Sequence, residues 1–290
     1  CKKSKIMKIR LENSFITDNS AECEAGCFFM RTSANAKFEP EAAQKGAQII
    51  SIAQAKELLK IDPRIKIVGI TGTNGKTTTA AAIYSTLLDL GFSCGLSGTR
   101  GAFINERRID EKGLTTSSVF KTMSYLYEAG KQGCEYFVME VSSHAIAQNR
   151  IQGLNFALKI FTNLSQDHLD YHGSMQEYAA VKSSFFADDA PKLINADDGH
   201  IKFNPANALT YGIKNPASFG VSGYGLKGGI DALVRTPNGD NAQLQSDLIG
   251  EFNLYNLTAA FAAVKILTKL PNEKIAKALA NFGGVEGRVQ

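Results

Sequence analysis

At 290 residues, 44% of them hydrophobic and 21% charged, the chain has length for two cored domains and the make-up of an ordinary soluble globular protein. A net charge of +4, with Lys and Arg interspersed among Asp and Glu, argues against the clustered basic stripe of a nucleic-acid groove, and no apolar run approaches the ~20 residues of a membrane-spanning helix. Five cysteines (Cys1, Cys23, Cys27, Cys94 and Cys134) form no repeated CxxC pair and follow no secretory signal, so free or structural thiols in a cytoplasmic protein are expected.

Residues 1–60 read as a small α/β module without a phosphate loop of its own. Phe15 begins a short strand that runs into the polar turn Asp18-Asn19-Ser20, and Cys27–Met30 is a second strand. Glu39–Lys45 reads as a helix, Gln48–Ile52 as a third strand and Ala53–Leu59 as a helix that Pro63 closes off, leaving Ile61–Arg64 as linker. The β-branched run Ile65–Ile70 then predicts a buried parallel strand. A glycine turn follows it, and Ala80, Ala81, Ile83, Tyr84, Leu87 and Leu88 recur at helical spacing up to Gly91, placed as a helix-terminating glycine.

Strand, glycine turn, Lys76-Thr77 and helix is the layout of a phosphate-binding loop. Backbone N–H groups and the helix N-terminus face the phosphates, the lysine adds a point charge, and the hydroxyl can ligate Mg²⁺. The strict Walker spacing would want glycine where Ile70 stands; here the glycines are Gly69, Gly72 and Gly75. The context still points to an ATP or GTP site.

Beyond it, strands near 94–98, at Tyr136–Val141, Ala157–Thr162 and Lys192–Asn195 alternate with helices near 118–130 and at Met175–Phe186, with a hairpin at 102–110. That alternation predicts a mostly parallel sheet with helices on both faces. Residues 205–250 read as antiparallel additions, and helices at Leu254–Leu267 and Asn272–Ala280 close the chain. Three polar clusters follow strands or turns, where ligands of open parallel sheets bind. Glu140-Val141-Ser142-Ser143-His144 offers a carboxylate for Mg²⁺, against the plain alternative that Ser142 caps a helix and Glu140 is solvated. Asn163 to His172 carries two histidines four apart without an evident third zinc ligand, so a nucleotide-linked Mg²⁺ site fits better. Leu114-Thr115-Thr116-Ser117 alone is a helix cap. A Ser-His-Asp hydrolase built on Ser143, His144 and Asp167 lacks the G-x-S-x-G elbow and leaves the phosphate loop unexplained.

Together these stretches resemble the Mur ligase family. The matching text is Gly69 to Thr78, Leu114-Thr115-Thr116, Glu140 to His144 with Gln148 and Arg150, Asn163 to His172, Tyr178 to Lys182, Ile194 to Asp198, Gly250 to Asn256, and Gly287-Arg288. The resemblance implies a UDP-binding N-terminal domain over 1–62, a central ATP-binding ligase domain over 63–290, and a C-terminal Rossmann-like domain absent from this chain, which reads as a fragment. It implies an ATP-dependent amide ligase that phosphorylates the D-Glu γ-carboxylate of UDP-MurNAc-L-Ala-D-Glu and joins an amino acid to it. Meso-diaminopimelate is the expected amino acid, with L-lysine or a folylpolyglutamate-type acceptor as alternatives. These 290 residues alone are expected to bind the UDP-sugar peptide but turn over poorly, as a monomer without nucleic-acid or membrane partners.

By the same resemblance, Gly72, Thr73, Asn74, Gly75, Lys76, Thr77 and Thr78 would hold ATP, with Asn253 and Asn256 by the adenine and Arg288 completing that site. Thr77 and Glu140 would ligate one Mg²⁺. His168 and Lys182, the latter carbamylated to N6-carboxylysine, would serve a second. Lys76, Glu140, His168 and Lys182 are thus the implied catalytic set. Thr115, Thr116, Ser142, Gln148 and Arg150 would contact the muramoyl-dipeptide, and Ser20 the uridine diphosphate. Two departures stand out: Asp18-Asn19-Ser20 replaces the family's Asp-Ser-Arg, and Ser117 replaces the proline of Thr-Thr-Pro.

Overall fold

The computed structural model describes residues 8–165 and 174–285. Two sheets organise them. The first is four short strands in the order β1 (Ile9–Arg10), β2 (Phe15–Thr17), β3 (Phe28–Met30) and β4 (Gln48–Ile50), with β1 antiparallel to β2 and the rest parallel. Helix α1 (Glu39–Gln44), with proline in its first turn, and helix α2 (Ile52–Leu58) accompany them. Strand β4 stops at Ile50, short of the expected Ile52. Ser51 takes a reciprocal capping box with Gln54, which draws Ile52 into the helix. Cys23 and Cys27 are buried free thiols that fill the core beside Phe29, Ala42 and Ala47 as small apolar groups.

The second sheet has eleven strands among the described residues, ordered β15-β14-β13-β12-β11-β10-β5-β9-β6-β7-β8. They are β5 (Lys66–Thr71), β6 (Cys94–Gly98), β7 (Gly101–Ile104), β8 (Arg107–Asp110), β9 (Tyr136–Glu140), β10 (Phe156–Phe161), β11 (Lys192–Asn195), β12 (Ala208–Gly212), β13 (Phe219–Gly225), β14 (Ile230–Arg235) and β15 (Asn241–Ser246). The centre, from β6 through β13, is parallel, and hairpins close both edges. The expected hairpin turns at Asn105-Glu106, both at positive φ as a type I′ turn demands. The expectation of antiparallel additions over 205–250 holds for β13 to β15. It fails for β12, which continues the parallel register of β11.

Side chains alternate faces along each central strand. Val68, Ile70, Val138 and Ile160 pack on one side, with helices α3 (Lys76–Asp89), α7 (Glu251–Thr268) and α8 (Asn272–Ala280). Ile67, Phe137, Met139 and Phe161 pack on the other, with α4 (Val119–Lys131) and α6 (Met175–Ser184). A short α5 (Ser143–Ala147) follows β9. The first sheet rests on α4: Ile9, Ile16, Met30, Ile50, Ile52 and Leu59 share one core with Val119, Phe120 and Met123 of that helix. No helix among the described residues is long and apolar enough to cross a membrane.

Candidate functional site

Strand β5 lies between β10 and β9, where the chain order reverses across the sheet, and the loop leaving its carboxyl end is the expected phosphate loop. Gly75 precedes α3 at φ +83°, and a Cβ there would stand 2.3 Å from Asn256 Oδ1, so both backbone shape and space demand glycine. The N-cap of α3 is a glycine with no side chain to cap the helix, so the first turn, with Thr77 and half-buried Thr78, has the character of an anion-binding helix N-terminus. Asn163 braces the loop from β10: its carbonyl accepts from Thr73 N–H at 2.7 Å and its side chain from Asn74 N–H at 2.9 Å. Lys76 curls over the loop, with Nζ donating to the carbonyls of Gly72 (2.9 Å) and Thr73 (2.8 Å).

Glu140 ends β9 beside this loop and is only 2% exposed, which sets aside the solvated alternative. Thr77 Oγ1 donates to its Oε2 at 2.9 Å and the Thr99 N–H to its Oε1 at 2.9 Å. Burial raises the carboxyl pKa above its ordinary value, opposed by these hydrogen bonds and the Lys76 charge. Gly98 makes the packing possible, since a Cβ there would come within 2.1 Å of Oε1. The pair fits Mg²⁺: both ligands are hard oxygens, and their 2.9 Å separation is about that of adjacent corners of an octahedron with 2.0–2.1 Å bonds.

The five residues expected at the acceptor form one network around the same strand tip. Thr116 Oγ1 donates to the Glu140 carbonyl at 2.9 Å and accepts from Ser142 N–H at 2.9 Å. Arg150 Nη1 donates to the Thr116 carbonyl at 3.1 Å, and its other amino group reaches Gln148 Oε1. Thr115 Oγ1 lies 3.2 Å from Thr99 Oγ1. Ser142 also caps α5 through Ala145 N–H at 3.2 Å, so the capping role is real and coexists with its place in the network.

Lys182 is 1% exposed rather than a solvated helix lysine. From α6 it reaches under the loop, donating to the Gly72 carbonyl at 2.9 Å and lying 4.7 Å from the Tyr178 ring centre. The Tyr178 hydroxyl meets Thr73 Oγ1 at 3.2 Å. On the far side, Asn256 accepts from Thr79 Oγ1 at 3.3 Å and lies 3.4 Å from Asn253, whose amide donates to the Ile249 carbonyl. Asp197 fastens that wall. Its carboxylate accepts from Ile213, Lys214 and Asn215 N–H and from the Tyr255 hydroxyl. His168 and Arg288 lie outside the described residues, and among those described no cluster of three His, Cys, Asp or Glu side chains is placed to hold a metal.

Ser20 stands apart from this assembly. It is buried, with its hydroxyl donating to Glu41 Oε2 at 2.7 Å. A cavity of about 590 Å³ opens instead between the small sheet and the turn after Arg150, lined by Arg31, Thr32, Ser33, Ser51, Lys56 and Gln152 among others. Lys56 donates to the Gly153 carbonyl across it, and burial holds its ammonium below the usual lysine range. Neither this cavity nor the Gly98-Thr99 support of Glu140 was legible as a motif. Both arise from segments distant in sequence.

The Mur ligase middle domain matches residues 70–264. The chain belongs to the Mur ligase family. It is 48% identical over 289 residues to a UDP-N-acetylmuramoyl-L-alanyl-D-glutamate--2,6-diaminopimelate ligase of Wolinella succinogenes, covering 99% of this chain and 65% of that one. It is 47% identical over 287 residues to the enzyme of the same name from Helicobacter pylori, covering 96% of this chain and 64% of that one. Among solved structures, a ligase of that name superposes with a TM-score of 0.79 at 27% identity, over 94% of this chain and 63% of the other. This member of the Mur ligase family thus spans a little under two thirds of the relatives it matches.

Proposed function

We propose that the chain builds the nucleotide and acceptor sites of an ATP-dependent ligase of peptidoglycan precursor synthesis, one that joins meso-diaminopimelate to UDP-MurNAc-L-Ala-D-Glu. The observation that carries this reading is the meeting, at neighbouring strand tips, of Lys76, Thr77 and Glu140 with the Thr115-Thr116-Ser142-Arg150 network. A nucleotide γ-phosphate and an acceptor carboxylate would be brought together there. The relatives' names support the choice of acceptor and amino acid.

In this reading the γ-carboxylate oxygen attacks the γ-phosphorus and ADP leaves. The incoming amine then attacks the acyl carbon and phosphate leaves. Such chemistry depends on positioning and charge neutralisation more than on covalent help from the protein. Lys76 would unroll from the loop carbonyls onto the phosphates, and the first-turn N–H groups of α3 would bind them. Thr77 and Glu140 would hold Mg²⁺, which neutralises phosphate charge, with His168 and carbamylated Lys182 serving a second ion. Asn253, Asn256 and Arg288 would complete the nucleotide site. Arg150, Gln148 and the hydroxyls of Thr115, Thr116 and Ser142 would orient the dipeptide. The cavity between the small sheet and the turn after Arg150, with Arg31 and Lys56 in its lining, would take the anionic uridine diphosphate.

Calorimetric titration with UDP-MurNAc-L-Ala-D-Glu, in the presence of a non-hydrolysable ATP analogue and Mg²⁺, tests this. Saturable binding that disappears in a folded Arg150→Ala variant is expected; a folded wild-type chain that binds neither ligand would overturn the reading. For Lys182, incubation with ¹³C-bicarbonate should give a carbamate carbon resonance, absent in Lys182→Ala.

A further inference from the structure

Thr99 stands just beyond the end of β6, between the nucleotide and acceptor halves of the site. Its N–H holds Glu140 Oε1 at 2.9 Å, while its hydroxyl lies 3.2 Å from Glu140 Oε2 and 3.2 Å from Thr115 Oγ1. A threonine hydroxyl has one proton to give. Thr77 donates to the same Oε2 at 2.9 Å, so two hydroxyls converge on one carboxylate oxygen, and the Thr99 proton has a second acceptor within reach.

We propose that Thr99 is a positioning residue that couples cation loading at Glu140 to the acceptor loop at Thr115. The proposal rests on the nucleotide and metal reading given above. With Oε2 uncoordinated, the Thr99 proton is divided between the carboxylate and Thr115. A cation held by the Glu140 carboxylate would take up that lone pair, and the Thr99 proton would then turn to Thr115 Oγ1. Thr115 then keeps its own proton for an acceptor oxygen. Throughout, the Thr99 N–H anchors Oε1, so the carboxylate does not rotate away. Outer partners of this kind set both the orientation and the affinity of a metal ligand. Because linkage is reciprocal, acceptor binding must tighten the cation by the same factor that the cation tightens the acceptor.

The test titrates the chain with Mg²⁺ at fixed fluorescent ATP analogue, and with UDP-MurNAc-L-Ala-D-Glu with and without the Mg²⁺-bound analogue. Thr99→Val keeps the backbone bond and removes the hydroxyl. It should raise the half-saturating Mg²⁺ concentration roughly 10–100-fold, the usual cost of losing an outer-shell partner. It should leave nucleotide affinity in chelator unchanged and abolish the mutual tightening of cation and acceptor. Thr99→Ser, which retains the hydroxyl, should behave as wild type. A Thr99→Val variant whose Mg²⁺ midpoint does not move overturns the proposal, as does one that weakens nucleotide equally with and without Mg²⁺. Wild-type nucleotide binding that ignores Mg²⁺ altogether would instead refute the metal reading of Glu140, and the coupling with it.

Discussion

Glu140 is a carboxylate kept from water and held by donors from two other segments. Its pKa is raised by burial, so in the ligand-free protein it favours the folded state most when protonated. That contribution is complete below the ordinary glutamate value of 4.5 and is lost as pH rises through the elevated folded-state value. Glu140→Gln should therefore unfold at a higher temperature than wild type at neutral pH, with the difference vanishing in acid; thermal melts between acid and neutral pH decide it. The same variant should lose Mg²⁺-dependent nucleotide binding. Lys76 differs in kind, since it donates to two backbone carbonyls of its own loop. Lys76→Met should leave the fold intact and weaken ATP-analogue binding by about 10–100-fold, the worth of a charge-assisted contact of 1.5–3 kcal/mol. Glu140 could be singled out in the sequence because a carboxylate at a strand tip is a recognisable signal. Thr99 could not: its significance depends on β6 lying in parallel register with β9, Ser97 opposite Met139, which brings two tips together from 41 residues apart.

At the scale of elements, α2 joins the small sheet to the cavity, and its start is set by Ser51 and Gln54. Ser51→Ala removes the cap and should cost about 1 kcal/mol, lowering the melting temperature by roughly 2–4 °C. The Ser-x-x-Gln pattern was readable, yet the apolar run ending in Ile52 suggested a longer strand, because a short β-branched stretch looks alike in both states. The central strands were legible for the opposite reason. Burial on both faces makes them continuous apolar runs, and the helices between them carry their own periodicity. Strand β12 escaped because its pairing with β11 is decided by sheet position, which Gly- and Asn-rich flanks do not encode.

At the scale of the molecule, one face of the small sheet packs on α1 in a core of its own around Phe29 and Ala42, while the other face shares its core with α4. Ile9, Ile16, Met30 and Ile50 are covered by Val119, Phe120 and Met123 of α4. Phe120→Ala should cost about 3–5 kcal/mol, as for other buried aromatic truncations. It should also raise amide exchange in β1–β4 before β5–β12, which hydrogen-exchange mass spectrometry would show; uniform acceleration would mean that the two sheets unfold as one. The shared core has a further consequence. On the proposed reading, the cavity beside the small sheet and the phosphate loop of the large one are joined through the core that the small sheet shares with α4, which sets the interval between them. The protein then works as a ruler. An acceptor is chosen by whether its two ends span that fixed interval, and one shortened by a single residue would have to give up one anchor to keep the other.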